Sequence, residues 1–199
     1  LEAKKMGFYI TVLDPTLDCP AHTIVDEHIV ANFDDKEAIR LLAKKSDVIT
    51  YEFEHIDAIA LKELESEGVS VYPTAKSLEV IQNKYTQKVL LKENKIPVPD
   101  FMQVNNVNDI INAGENFGYP FLLKSCTGGY DGKGNFVVHS KDEADEGFKV
   151  LGNGKLPLMA ERFFPFIMEL SVLACRGING EIEVYPVAEN HHIENILFE

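Results

Sequence analysis

The chain has 199 residues, 45% hydrophobic and 26% charged, and 19 basic against 32 acidic residues give a net charge of −13. That composition suits a globular protein with one or two cores and excludes a general nucleic-acid or anionic-membrane binder, which needs a basic surface. No run approaches the roughly 18 apolar residues of a membrane span. Cys19, Cys126 and Cys175 are odd in number, far apart and never in C-x-x-C spacing. This fits a reducing cytoplasm and speaks against a disulfide framework or a zinc site.

Leu1 to Met6 reads as the end of a helix stopped by Gly7. Residues 8–13 form a strand ending at Asp14-Pro15, and residues 27–30 a short second one. Asp34 or Asp35 caps a helix through Lys45, with Ile39, Leu41, Leu42 and Ala43 on its apolar face. A third strand at 47–51, a helix over 57–67 stopped by Gly68, and a fourth strand at 69–72 follow. Strands separated by helices require crossovers, hence an α/β unit with a parallel sheet. Such sheets open with a strand and a ligand loop, whereas this chain opens inside a helix; a strand and loop are therefore expected upstream.

A helix over 77–94 is expected next, and the Pro97/Pro99 pair breaks the chain. Beyond it lie a helix over 107–117, a strand at Phe121, a strand at 135–138, a helix over 142–151 and a strand at 156–161. Residues 170–175 and 182–185 read as a strand pair joined at 177–180, in a unit unfinished at Glu199. Three segments result: 1–97, 98–164 and 165–199.

The most informative stretch is Thr127-Gly128-Gly129-Tyr130-Asp131-Gly132-Lys133-Gly134, directly after an apolar strand ending in Lys124. Glycines let backbone approach a ligand, successive N–H groups form a concave anion site, and Lys124 and Lys133 add charge. Gly-Gly and Asp-Gly are equally ordinary hairpin turns, so a turn and a phosphate clamp both remain open from pattern alone. The order GxxxxGK[ST] is absent, and no G-x-G-x-x-G opens a helix. Cys126 has no evident activating base and reads as a packing residue. Neighbours on a strand point to opposite faces, so His191-His192 beside Glu194 does not make a metal pair. Glu52 and Glu54 would share one face if their strand continued, at the carboxyl end where parallel sheets bind ligands.

Together with Val48 to Glu54, Lys84 with Thr86-Gln87-Lys88, Gly118-Tyr119-Pro120 and Glu189-Asn190-His191-His192, the glycine run resembles the ATP-grasp superfamily. Within it the chain is similar to the carboxyaminoimidazole ribonucleotide synthase family of purine synthesis. The resemblance implies a parallel-sheet pre-ATP-grasp domain, a small α+β lid and the start of an antiparallel ATP-grasp lobe. It implies ATP-dependent carboxylation of 5-aminoimidazole ribonucleotide by bicarbonate, with magnesium, in a cytoplasmic homodimer, without nucleic acid or membrane. Lys84 and Lys124 would contact phosphates, and Gly128 to Gly134 would cover them, with Tyr130, Asp131, Gly132 and Lys133 in the flap. Glu161, Arg162 and Phe163 would flank adenine and Glu169 would hold the ribose. His192 and Asn190 would lie near the triphosphate or bicarbonate, and Glu52 and Glu54 would wall the ribonucleotide pocket. Lys124, Lys133 and His192 are the catalytic candidates, and no magnesium ligand is identifiable. Two other readings stay open: another ATP-grasp ligase, such as a formate-using glycinamide ribonucleotide transformylase, and a non-catalytic nucleotide-binding module.

Overall fold

The computed structural model describes residues 1–129, 134–193 and 196–198. The chain divides into two compact units, Leu1–Gln87 and Lys88–Glu199.

In the first unit, α1 (Glu2–Lys5) leads to β1 (Thr11–Leu13), which pairs in parallel with β2 (Glu27–Ile29). Helix α2 (Lys36–Lys45) starts where the Asp35 carboxylate accepts from the Glu37 and Ala38 N–H groups, both at 3.0 Å. Strand β3 (Val48–Ile49) pairs in parallel with β4 (Ser70–Val71), and α3 (Ala58–Ser66) connects them, capped by Asp57. The β3–β4 pair, joined by α3, follows the expected helical crossover, whereas β1 and β2 are parallel but joined by turns over residues 14–26. Ile39, Ile49, Leu61, Leu64, Val71 and Leu78 close the core, whereas Leu41, expected on the buried face of α2, is exposed.

The single helix expected over 77–94 is two helices, α4 (Ala75–Ile81) and α5 (Lys84–Glu93). Asn83 is the reason: its side-chain oxygen accepts from the Tyr85 N–H at 3.0 Å and the Thr86 N–H at 3.1 Å, starting a new helix. Gln82 turns away to donate to the carbonyls of Glu54 and Ile56.

The second unit is built on β5 (Phe101–Val104), α6 (Val107–Phe117), β6 (Phe121–Ser125), β7 (Asn135–Val138), α7 (Ala144–Val150) and β8 (Leu158–Arg162). The four strands form an antiparallel sheet in the order β5-β8-β6-β7. Asn106 and Asp109 cap α6 reciprocally. Val104, Phe121, Leu123, Val138, Leu158 and Ala160 from the strands pack against Ile110 and Ala113 of α6 and Ala144 of α7. Fully burying a side chain such as Leu123 contributes about 1.5–3 kcal/mol.

The chain continues through β9 (Glu169–Ser171), β10 (Ala174–Arg176), β11 (Ile182–Val184), β12 (Ala188–Asn190), β13 (His192–Ile193) and β14 (Ile196–Leu197). The strand expected over 170–175 is divided: its second part pairs with β11 as anticipated, but β9 pairs with β12. No helix among the described residues is long and apolar enough to cross a membrane.

Candidate functional site

The pleat of the second sheet decides what faces what. Along β6, Phe121, Leu123 and Ser125 are buried on the helix side, so Leu122 and Lys124 point the other way. Register sets Leu122 opposite Glu161 and Lys124 opposite Met159. Directly opposed residues share a face, so Lys124 and Glu161 lie together. The Lys124 Nζ is 3.4 Å from Glu161 Oε2, and Lys88 from α5 brings its Nζ to 3.0 Å from the same oxygen. The glutamate side chain is 9% exposed, and the two lysines 18% and 21%. Both contacts are charge contacts without hydrogen-bond alignment, and Oε2 is a buried acceptor with no hydrogen bond. Two ammonium groups against one carboxylate leave surplus positive charge in a site that still offers an acceptor. An anion beside a hydrogen-bond donor is what such a place accommodates.

The glycine segment is the connection between antiparallel strands β6 and β7, with Lys124 opposite Asn135. Its base is drawn tight: the Ser125 N–H donates to the Gly134 carbonyl at 2.9 Å. A Cβ on Gly134 would stand 2.6 Å from Ser125 Oγ and 3.0 Å from the Gly129 Cα, and one on Gly129 2.8 Å from the Gly134 Cα. Gly129 also has φ +72°, so side chains are excluded there by space and by conformation. Ser125, Thr127, Gly128, Gly129 and Gly134 line a cavity of about 430 Å³. Tyr130, Asp131, Gly132 and Lys133 lie outside the described residues.

At the end of β8, the Arg162 N–H donates to the Asp100 carbonyl at 2.8 Å. Its guanidinium pairs with the Asp100 carboxylate at 3.1 Å and lies over the Phe117 ring. The Arg162 N–H is thus committed to the Asp100 carbonyl, while Phe163 is exposed. Pairing of β9 with β12 sets Glu169 opposite Asn190, and His192 Nε2 is 3.7 Å from Glu169 Oε1. His191 instead faces Glu189 at 3.9 Å, so the adjacent histidines do diverge.

In the first unit a cavity of about 510 Å³ opens at the carboxyl ends of β1 and β3, lined by Asp14, Phe33, Tyr51, Glu52 and Phe53 among others. Burial pushes the Tyr51 phenol above its ordinary value, and its hydroxyl donates to the Thr74 carbonyl at 3.2 Å. Glu52 and Glu54 do not share a strand face, because β3 ends at Ile49 and residues 50–57 are irregular. Glu52 lines the cavity, whereas the Glu54 carboxylate faces His55 at 3.6 Å.

Comparison with known proteins agrees with this geometry. Residues 89–199 match the ATP-grasp domain family, and residues 1–82 match the ribonucleotide synthetase preATP-grasp domain family. The chain belongs to the ATP-grasp family. This ATP-grasp chain is 40% identical over 200 residues to the N5-carboxyaminoimidazole ribonucleotide synthase of Bacillus subtilis, covering 100% of the chain and 52% of the relative. A solved N5-carboxyaminoimidazole synthetase from Staphylococcus aureus, complexed with ADP, superposes with a TM-score of 0.92 at 39% identity, covering 98% of this chain and 52% of that one. The enzyme from Aspergillus clavatus in complex with ADP and 5-aminoimidazole ribonucleotide gives a TM-score of 0.87 at 35% identity, covering 98% and 50%. The chain thus spans about half the length of the curated relatives it matches.

Lys88 is the residue of this ATP-grasp chain that sequence reasoning left without a role. It follows Lys84 by one helical turn, and the repeated lysine at that spacing was the available signal. Its partner Glu161 is distant in sequence, so the contact itself carries no local pattern.

Proposed function

We propose that this chain forms the nucleotide-binding part of an ATP-dependent enzyme that carboxylates 5-aminoimidazole ribonucleotide. Bicarbonate attacks the γ-phosphate of ATP to give carboxyphosphate and ADP. Carbon dioxide released from carboxyphosphate is captured by the exocyclic amine, leaving phosphate and the N-carboxylated ribonucleotide. The observation that carries this reading is the buried Glu161 carboxylate shared by Lys88 and Lys124 in a unit whose β6–β7 connection is the glycine hairpin. The solved relatives bound to ADP and to the ribonucleotide support it.

The residues then have physical roles. Lys124 and Lys84 neutralise phosphate charge that resists attack by an anion. Gly128 to Gly134, with Lys133, close over the phosphates as part of a lid formed by residues 98–164, excluding water from an intermediate that hydrolyses. Glu161 accepts from the base amine, and the Phe163 backbone completes the adenine edge. Glu169 takes the ribose diol, for which a carboxylate offers two acceptor oxygens. His192 and Asn190 face the reacting end, and Glu52 walls the ribonucleotide pocket. Magnesium, when bound, neutralises the phosphates further. Glu161 and Glu169 are each paired with a cationic or imidazole side chain, so no magnesium ligand is assigned in this chain. A cytoplasmic homodimer completes the reading, as implied by the family.

The test is phosphate release by the protein carrying this chain at its relatives' full length. Aminoimidazole ribonucleotide with bicarbonate should stimulate ATP hydrolysis, and Lys124→Ala should abolish the stimulation while the protein stays folded, its melting midpoint lowered only modestly because Lys88 still pairs with Glu161. Stimulation by glycinamide ribonucleotide with formate instead, or full turnover in the variant, overturns the assignment.

A further inference from the structure

A second cluster of chemically competent side chains lies in the first unit. Strand β1 delivers Asp14 just past its carboxyl end, and β2 places His28 beside it, with Val12 opposite His28 in the parallel register. The turn between them folds back through hydrogen bonds from the Cys19 N–H to the Thr16 carbonyl and from the His22 N–H to the Cys19 carbonyl. That fold-back carries the Cys19 thiol, 4% exposed, to 4.0 Å from His28 Nε2. One ligand atom each from Asp14, Cys19 and His28 lies within 4.8 Å of the others.

We propose that Asp14, Cys19 and His28 bind a borderline divalent transition metal, with zinc the best-matched ion. Thiolate, imidazole and carboxylate are the donors such an ion takes, whereas magnesium and calcium take oxygen alone. With zinc–sulfur and zinc–nitrogen bonds of about 2.3 and 2.0 Å, a tetrahedral site separates those atoms by about 3.5 Å. The observed cluster therefore needs only a small contraction. Binding releases the Cys19 thiol proton to solvent, and one thiolate with one carboxylate balances the charge of the dication.

The supporting contacts are also in place. The Asp14 carboxylate is held by the Thr16 N–H at 2.7 Å. His28 Nδ1 stands 3.4 Å from His22 Nδ1. His28 Nε2 stands 3.1 Å from the Asp14 carbonyl, an acceptor only, so metal binding there replaces an Nε2–H hydrogen bond. When Nε2 ligates, the ring proton resides on Nδ1, where His22 accepts it. Such outer contacts orient metal ligands and fix the histidine tautomer. Water completes the fourth position. The cysteine spacing alone gave no such signal, because the ligands come from two strands and the turn between them.

The proposal does not depend on the carboxylation reading, since it is tested on the 199-residue chain without turnover. Chelator-treated protein is titrated with cobalt(II), whose thiolate charge-transfer absorption in the near ultraviolet reports sulfur ligation, and zinc is then added to displace it. The band should appear, resist excess magnesium, vanish in Cys19→Ser and persist in Cys175→Ser. Affinity in His28→Gln should fall at least about tenfold. Zinc should raise the melting midpoint of the unmodified chain, because the native state alone presents the assembled site. Absence of the band, or its survival in Cys19→Ser, overturns the proposal. If replacing the buried thiol unfolds the chain, undiminished cobalt affinity in the folded His28→Gln variant overturns it equally.

Discussion

Lys88 and Lys124 approach the same oxygen of Glu161, and their contributions differ accordingly. Lys124 stands on the sheet at the mouth of the glycine hairpin, where it is proposed to meet phosphate. Lys88, at 3.0 Å, is the nearer partner of the carboxylate and leaves the charge of Lys124 less fully engaged. Lys88→Ala should therefore bind Glu161 more tightly to Lys124 and raise the KM for ATP several-fold, with a smaller fall in kcat. Lys88→Arg should recover most of the affinity, which a loss of packing alone would not predict. Because Glu161 is buried, removing a partner also carries a stability cost. It stays below the 3–5 kcal/mol typical of breaking a buried pair, since the second lysine remains.

At the scale of elements, α1 is tied to the β1–β2 pair through Asp26. Its carboxylate accepts from Lys4 Nζ at 2.6 Å and from the Ile10 N–H at 2.7 Å. The Lys4 hydrogen bond, helped by that of Ile10, holds the Asp26 carboxyl below its ordinary value of 3.8. A depressed carboxyl stabilises the fold above the unfolded-state value and loses that contribution as pH falls through the folded one. Asp26→Asn should thus be less stable than the parent at neutral pH. The gap should close below about pH 4, measured by denaturant midpoints across a pH series. The elements legible in the sequence were those with local signals: helices begun by Asp35, Asp57 and Asn106, and the glycine stops at Gly7 and Gly68. The break between α4 and α5 was hidden because helical periodicity runs through Asn83, whose side chain nevertheless outcompetes the helix there. Strand β5 was missed because its pairing partner, β8, lies far along the chain. Lys124 and the glycines of the candidate site were legible from residue type, whereas Lys88 was not given a role. The Lys88–Glu161 contact, which depends on tertiary packing, was not legible.

Across the whole molecule the two units carry separate cores, one holding Leu61 and the other Leu123. Leu61→Ala and Leu123→Ala should each cost about 2–5 kcal/mol. Calorimetry should show each variant shifting a different transition, and a single transition moved equally by both would mean that the cores melt as one. In the second unit, core and site are written on alternate residues of the same strands: Leu123 and Ala160 face the helices, Lys124 and Glu161 the other side. The sheet therefore has something like a reading frame of two. Connecting loops can gain or lose residues freely over evolution, but a single-residue deletion inside β6 or β8 would exchange the two messages. It would drive a charge into the apolar layer and leave an alanine or leucine in place of the paired lysine or glutamate. Insertions and deletions in these strands are thus tolerated only in pairs.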